Sequence, residues 1–181
     1  MGHAGAYTPE KLVIAVLSAR EEARSGVMRA AEEAWGPVDY QSPELPFPWS
    51  HYYDAEMGAP LRRSFFTLRA LVDPSRLASL KKEANAMEER WSADGKRAVN
   101  LDPGLLSLSR FVLATTKENA HRIPLSDGIY GEVTLLYARG GFRPLEWTYP
   151  DYRSAEYLAI LNDIRARYKA QLREGDAVSA G

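Results

Sequence analysis

A few short stretches of this sequence hold the residue types that do chemistry. Thr115-Thr116-Lys117 and His121-Arg122 stand on either side of the three-residue connection Glu118–Ala120. If the flanking segments are strands, the connection forms a hairpin and gathers two hydroxyls, an ammonium, an imidazole and a guanidinium into one patch. Such a patch suits a phosphate or a carboxylate, with Arg as a planar fork and Lys as a point charge. The plainer alternative is a solvated hairpin end, since such ends are polar anyway. Asp102 lies in Asn100-Leu101-Asp102-Pro103-Gly104. That segment reads as a tight turn, with Asp forced extended before Pro and Gly104 free to take a positive φ. Asn100 and Asp102 then cap backbone amides, or Asp102 serves as a metal ligand or general base at a rigid strand end. Glu132 falls inside the strand-like stretch Ile129–Ala138, on the face it shares with Tyr130 and Thr134. On a wet face it does nothing; under a cover it becomes an enclosed carboxylate.

The cover would be Ser42–Pro60. Pro43, Pro46 and Pro48 interleave there with Phe47, Trp49, Tyr52 and Tyr53. Proline removes backbone donors, so this is a long ordered loop whose aromatic residues lie against the body. It also carries His51, Asp54 and Glu56. His51 could join Asp54, Glu56, His121 or Glu132 around a metal, but HExxH and comparable ligand spacings are absent and no metal site is assigned. Tyr149-Pro150-Asp151-Tyr152-Arg153-Ser154 reads first as the start of a helix, capped by Asp151 or Ser154, with amides that could meet an anion.

The elements that must position these groups follow from periodicity. Leu12–Leu17 is six apolar residues in a row, which suits a strand covered on both faces, over Lys11–Ser18. Arg20–Trp35 has helical spacing at Ala23, Val27 and Ala34, ended by Gly36-Pro37. Val38–Gln41 and Leu61–Val72 read as strands. Asp73-Pro74 opens a helix through Leu77, Leu80, Ala84, Met87 and Trp91. Ala98–Leu101, Leu105–Lys117, His121–Leu125, Ile129–Ala138 and Phe142–Trp147 read as a C-terminal antiparallel meander, with Ser126-Asp127-Gly128 as a hairpin turn. Ser154–Arg173 is an amphipathic helix facing inward with Tyr157, Leu161, Ile164, Tyr168 and Leu172. The expectation is one α+β domain over residues 1–181, with residues 1–10 a flexible arm and 174–181 a frayed tail. Helices pack on one face of a mainly antiparallel sheet, around a ferredoxin-like core with extra strands.

Composition sets the outer limits. A net charge of −1 with interspersed signs argues against a partner gripped through nucleic-acid phosphates. The absence of cysteine removes disulfides, thiolate metal sites and cysteine nucleophiles, and fits a reducing compartment. No signal peptide and no membrane-length apolar run is present, so the cytoplasm is expected and a membrane partner is not. Gly95-Lys96 lacks the upstream glycine of a phosphate loop, and Arg97 replaces its hydroxyl residue. Thr116-Lys117-Glu118-Asn119 has Asn119 where a guanine-reading TKxD motif has aspartate. G-x-G-x-x-G and G-x-S-x-G are absent too.

Over nearly its whole length the chain resembles the bacterial family DUF4416. The resemblance is carried by KLVIAVLS, GPVDYQSP, HYYDAEMGAPLRR, NLDPG, LATTKENAHRI, GIYGEVTLLY and EWTYPDYRS. It implies a single-domain boundary and brings no activity, catalytic residue or cofactor with it.

The residues themselves favour binding of a small anion or nucleotide-like ligand on a polar sheet face. Lys117, Arg122, Thr115, Thr116 and Glu56 would hold it, and Tyr53 and Trp49 would close the site. The alternatives are a hydrolase or a phosphoryl or nucleotidyl transferase using Asp102, Glu132 and His121, and a protein-interaction module working through the aromatic loop 47–58. Whether the protein is an enzyme, which cofactor it uses and how it oligomerises are left open by the sequence.

Overall fold

The computed structural model describes residues 2, 3 and 5–179. β1 (Glu10–Ser18) leads into α1 (Glu21–Trp35), whose first-turn Glu21 and Glu22 complement the positive end of the helix. β2 (Val38–Gln41), the two-residue β3 (Leu45–Pro46) and the short α2 (Asp54–Met57) precede β4 (Arg62–Val72). Asp73 Oδ1 then accepts from the Ser75 amide at 2.8 Å and caps a short turn before α3 (Leu77–Glu89). A small hairpin of β5 (Ser92–Ala93) and β6 (Lys96–Arg97) leads to β7 (Asn100–Leu106), β8 (Arg110–Thr115), β9 (Arg122–Pro124), β10 (Tyr130–Ala138) and β11 (Gly141–Pro144). α4 (Ala155–Ser179) closes the described chain.

The main sheet runs β11-β10-β8-β7-β1-β4-β2, and every neighbouring pair is antiparallel. Within it β1, α1, β2, β4, α3 and β7, with β7-β1-β4-β2 adjacent in space, have the connectivity of a ferredoxin-like core. The meander extends that core on the β7 side. β1 is central because it is apolar on both faces. Leu12, Ile14 and Val16 bury against α1 and α3, while Val13 and Ala15 bury against α4. The sheet is therefore covered on both faces. The one-face arrangement fails because α4 sends Tyr157, Leu161, Ile164 and Tyr168 into a second core with Phe65, Phe111 and Leu135.

Several boundaries differ from the sequence expectation. Glu10 is a buried strand residue that accepts from Arg110 Nη2 at 2.7 Å, so it does not belong to an arm. α4 runs through Ser179 instead of fraying from 174; residues 180 and 181 lie outside the described residues. β11 stops at Pro144. The largest correction concerns Asp102-Pro103-Gly104, which is no turn. β7 passes straight through it, with Asp102, Pro103 and Gly104 opposite Ala15, Ile14 and Val13 of β1. The chain reverses later, at Ser107–Ser109, where the Ser107 amide donates to the Arg110 carbonyl at 2.9 Å. Gly104 is needed for close approach and not for a positive φ: a Cβ there would stand 2.6 Å from Phe111 Cζ and 2.9 Å from the Val112 carbonyl oxygen.

Candidate functional site

The site begins with a gap in the sheet. β7 and β8 pair only from Gly104↔Leu113 to Leu106↔Phe111. Pro103 has no amide proton to extend the ladder, and beyond it the two strands part while β7 keeps its pairing with β1 to Asn100↔Leu17. A cavity of about 660 Å³ fills the opening. Asn100 and Asp102 line it from β7, and Thr115, Thr116 and Lys117 from the end of β8. α3 and the segment 149–152 form its sides, and the aromatic loop contributes Phe47, Trp49, Tyr52 and Tyr53. A volume of this size and composition suits a small organic ligand.

Asp102 sits among cations. Its Oδ2 accepts from Asn100 Nδ2 at 2.7 Å and from Arg63 Nη1 at 3.4 Å, and Lys81 Nζ lies 3.5 Å from Oδ1. Burial works to raise its pKa, but Lys81 and Arg63 outweigh burial and hold the carboxyl below the usual range. Asp102 is therefore a fixed negative charge, unsuited to donating a proton. Arg63 is almost fully buried, with Asp151 Oδ2 at 3.6 Å and the Phe47 ring 5.2 Å away. Burial opposes its charge, while Tyr152, Asp102, Tyr157 and Asp151 sustain it. Among the described residues, its Nε and the hydroxyl of Tyr152 have no hydrogen-bond partner.

Glu132 is only 1% exposed. Arg122 Nε donates to its Oε2 at 2.8 Å, and His121 Nε2 stands 3.0 Å from the same oxygen. Arg122 also donates to the Lys117 carbonyl at 2.8 Å and to the Tyr149 hydroxyl at 2.7 Å. His121 stacks on Trp147, with ring centroids 5.2 Å apart and planes 14° from parallel. The sequence expectation brought these residues together, but by the wrong pairing. β8 and β9 do not form a hairpin. Both pair with β10, on opposite edges: Glu132 faces Leu113 on one side and Arg122 on the other. The connection between β8 and β9 must therefore cross β10, and it carries Lys117 and His121 past Glu132. Arg122 and His121 back Glu132 and are not themselves part of the cavity wall.

Lys117 Nζ lies 5.7 Å from the centre of the Tyr52 ring. Tyr52 and Trp49 remain 73% and 45% exposed, so they form a rim, whereas Tyr53 is half-buried. Glu56 has a different task from the one expected. Arg97 donates to it through Nε at 2.8 Å and through Nη2 at 3.1 Å, and through Nη1 to Glu88 at 3.1 Å. Glu56 thus tethers the aromatic loop to the body, and the Arg97 hydrogen bonds hold its carboxyl below the ordinary value. His51 pairs with Asp54 at 2.7 Å, apart from the His121–Glu132 pair. Among the described residues, no three His, Asp or Glu side chains gather where they could hold a metal ion.

Arg63, Lys81, Arg97 and Tyr152 were not anticipated. The signal lay in periodicity: Arg63 shares the face of Phe65 in an apolar strand, and Lys81 and Glu88 continue the buried α3 stripe from Leu77 and Ala84.

Fold and site together define a ferredoxin-like α+β protein with a charged, aromatic-rimmed cavity at a break in its sheet. The chain belongs to the family described as domain of unknown function (DUF4416), whose model matches residues 8–168. Neither the curated proteins nor the solved structures include a match. Among the described residues, no helix is long and apolar enough to cross a membrane.

Proposed function

We propose that this protein binds a small anionic, nucleotide-like ligand in the cavity between β7 and β8. The observation that carries the reading is the state of Lys117. Of the cations lining the cavity, Arg63, Lys81 and Arg97 each have a carboxylate within 4 Å, and Lys117 has none among the described residues. A lysine with its charge uncompensated, beside the Thr115 and Thr116 hydroxyls, is a receptor for an acidic group. The aromatic rings of the rim supply flat surfaces for an unsaturated ring. The absence of cysteine supports placing the protein in a reducing bacterial cytoplasm. Calorimetric titration with a panel of nucleotides and phosphorylated metabolites tests the proposal. Lys117→Ala should weaken the best binder at least about tenfold, the scale of one charge-assisted bond. Equal affinity of variant and wild type would remove Lys117 from the site.

A second reading, a hydrolase or phosphoryl transferase, is favoured by the presence of Asp102 and Glu132 in one cavity wall. The low pKa of Asp102 suits charge orientation better than acid catalysis. A phosphoesterase screen in which Asp102→Asn retains full activity would dismiss it.

A further inference from the structure

The aromatic loop is fixed at two points and free between them. The first follows β3, which pairs with β4 through Leu45↔Arg63 and Pro46↔Arg62. The Phe47 amide then donates to the Leu61 carbonyl at 3.1 Å, and Phe47 packs on the buried cluster of Leu17, Met57 and Leu61. The second is Tyr53, which packs on the same cluster. The Met57 amide donates to its carbonyl at 2.8 Å, and Arg97 holds the neighbouring Glu56. Residues 48–52 span the interval. Pro48 has no amide proton to give. The Tyr52 amide donates to Ser50 Oγ at 3.1 Å, His51 Nδ1 lies 2.7 Å from Asp54 Oδ2, and the Asp54 amide donates to the His51 carbonyl at 3.2 Å. These bonds stay inside the loop; among the described residues, none joins 48–52 to the rest of the protein. Outside the loop, Tyr52 meets the Lys117 ammonium, 5.7 Å from its ring centre. A segment with so few bonds to its surroundings opens at little cost in free energy. Trp49 and Tyr52 nevertheless line the cavity, 45% and 73% exposed. Apolar ring surface left in water at a cavity mouth favours an occupant that covers it.

We infer that residues 48–52 are a flap that swings between the fixed ends Phe47 and Tyr53 and closes over an occupied cavity, laying Trp49 and Tyr52 on the bound molecule. This rests on the nucleotide-like reading above and adds how the site closes and which ring stacks on the base. Amide hydrogen exchange on the full chain, resolved by residue with NMR, tests it. In the free protein the amides of Trp49, Ser50 and His51 should exchange within about tenfold of an unstructured peptide. Those of Phe47 and Met57 should exchange at least about a hundredfold more slowly. Adenosine, guanosine, cytidine and uridine 5′-monophosphates are the probes. The one that binds most tightly in calorimetry should slow exchange at 49–51 at least about tenfold. It should also shift to the blue the part of the tryptophan emission that Trp49→Phe removes. Trp49→Ala should weaken that nucleotide about tenfold, the scale of one stacked base, and equal affinity overturns the stacking. Amides at 49–51 as protected as that of Phe47 in the free protein overturn the flap. So does a bound nucleotide that leaves their exchange and the Trp49 emission unchanged. Both results leave the cavity site standing. If none of the four nucleotides binds, the nucleotide-like reading falls and the flap with it. Should Trp49→Ala fail to fold, exchange in the wild type still decides.

Discussion

Replacing Arg97 with alanine should expose how the aromatic loop and the cavity wall are held together. The Arg97 side chain makes two bonds to Glu56, at 2.8 and 3.1 Å, with both side chains about a third exposed; a third, from the Arg97 amide at 3.3 Å, survives the substitution. Solvent screening limits that pair to roughly 1 kcal/mol. The bond to Glu88 is different. Glu88 Oε1 accepts from the Leu101 amide at 2.7 Å, and Arg97 Nη1, at 3.1 Å, is the donor to its Oε2. Glu88 is buried, and its remaining cation, Lys81, stands 3.9 Å away. Losing the guanidinium leaves a buried carboxylate oxygen unpaired, at about 1–3 kcal/mol. The variant should therefore lose about 2–4 kcal/mol in urea unfolding, a large share of a typical domain's stability.

The pH dependence separates charge from packing. Burial raises the Glu88 pKa, and Lys81 and Arg97 partly oppose it. A carboxyl raised in the folded state contributes stability below its unfolded pKa and loses it as pH rises through the folded value. Removing Arg97 raises Glu88 further, so the deficit should shrink as pH falls through the folded value of Glu88 and be complete well above it. Glu56 works in the same direction. Its lowered carboxyl stabilises the wild type above the unfolded pKa and loses that contribution as pH falls through the folded value. A double-mutant cycle with Glu88→Gln should give a coupling of about 1–3 kcal/mol. A deficit independent of pH, or a coupling near zero, would refute the reasoning.

Two further outcomes test how the gap in the sheet is built. Gly104→Ala should cost about 1–3 kcal/mol, because the added methyl meets the Val112 backbone oxygen as well as the Phe111 ring and neither can withdraw freely; an unchanged thermal midpoint would show that β7 and β8 can separate there. Lys81→Met should raise the carboxyl titration of Asp102, followed by carbon-13 NMR, since Lys81 is the leading group that lowers it. Asp102 stabilises the fold above its unfolded pKa and loses that contribution as pH falls through its folded value, so in the variant the acid loss should begin at higher pH. A titration identical to the wild type would assign the shift to Arg63.

What the sequence determined by itself was whatever short-range periodicity encodes. Leu12–Leu17 could satisfy its apolar side chains only between two layers, and β1 is buried on both faces. The stripe through Leu77, Leu80 and Ala84 made α3, and Ser126-Asp127-Gly128 made a hairpin, with Asp127 at φ 55° and Gly128 at φ 74°. The candidate site was legible in part: Asp102, Lys117, Thr115, Thr116, Glu132, Trp49 and Tyr53 all line one cavity.

The tertiary structure decided the rest, because strand pairing and burial depend on neighbours remote in the chain. Asp-Pro-Gly has the local chemistry of a turn, yet β1 offered Asn100–Leu106 a partner along its whole length and the segment stayed extended. Adjacent strands with a short connection ordinarily pair with each other; here β8 and β9 took opposite edges of β10, and only that crossing puts His121 and Arg122 on Glu132. Neither Arg63 nor Lys81 was singled out from the sequence. They line the cavity because Pro103 ends a ladder and the strands beside it diverge, a consequence of a missing amide proton that no window of local sequence could evaluate.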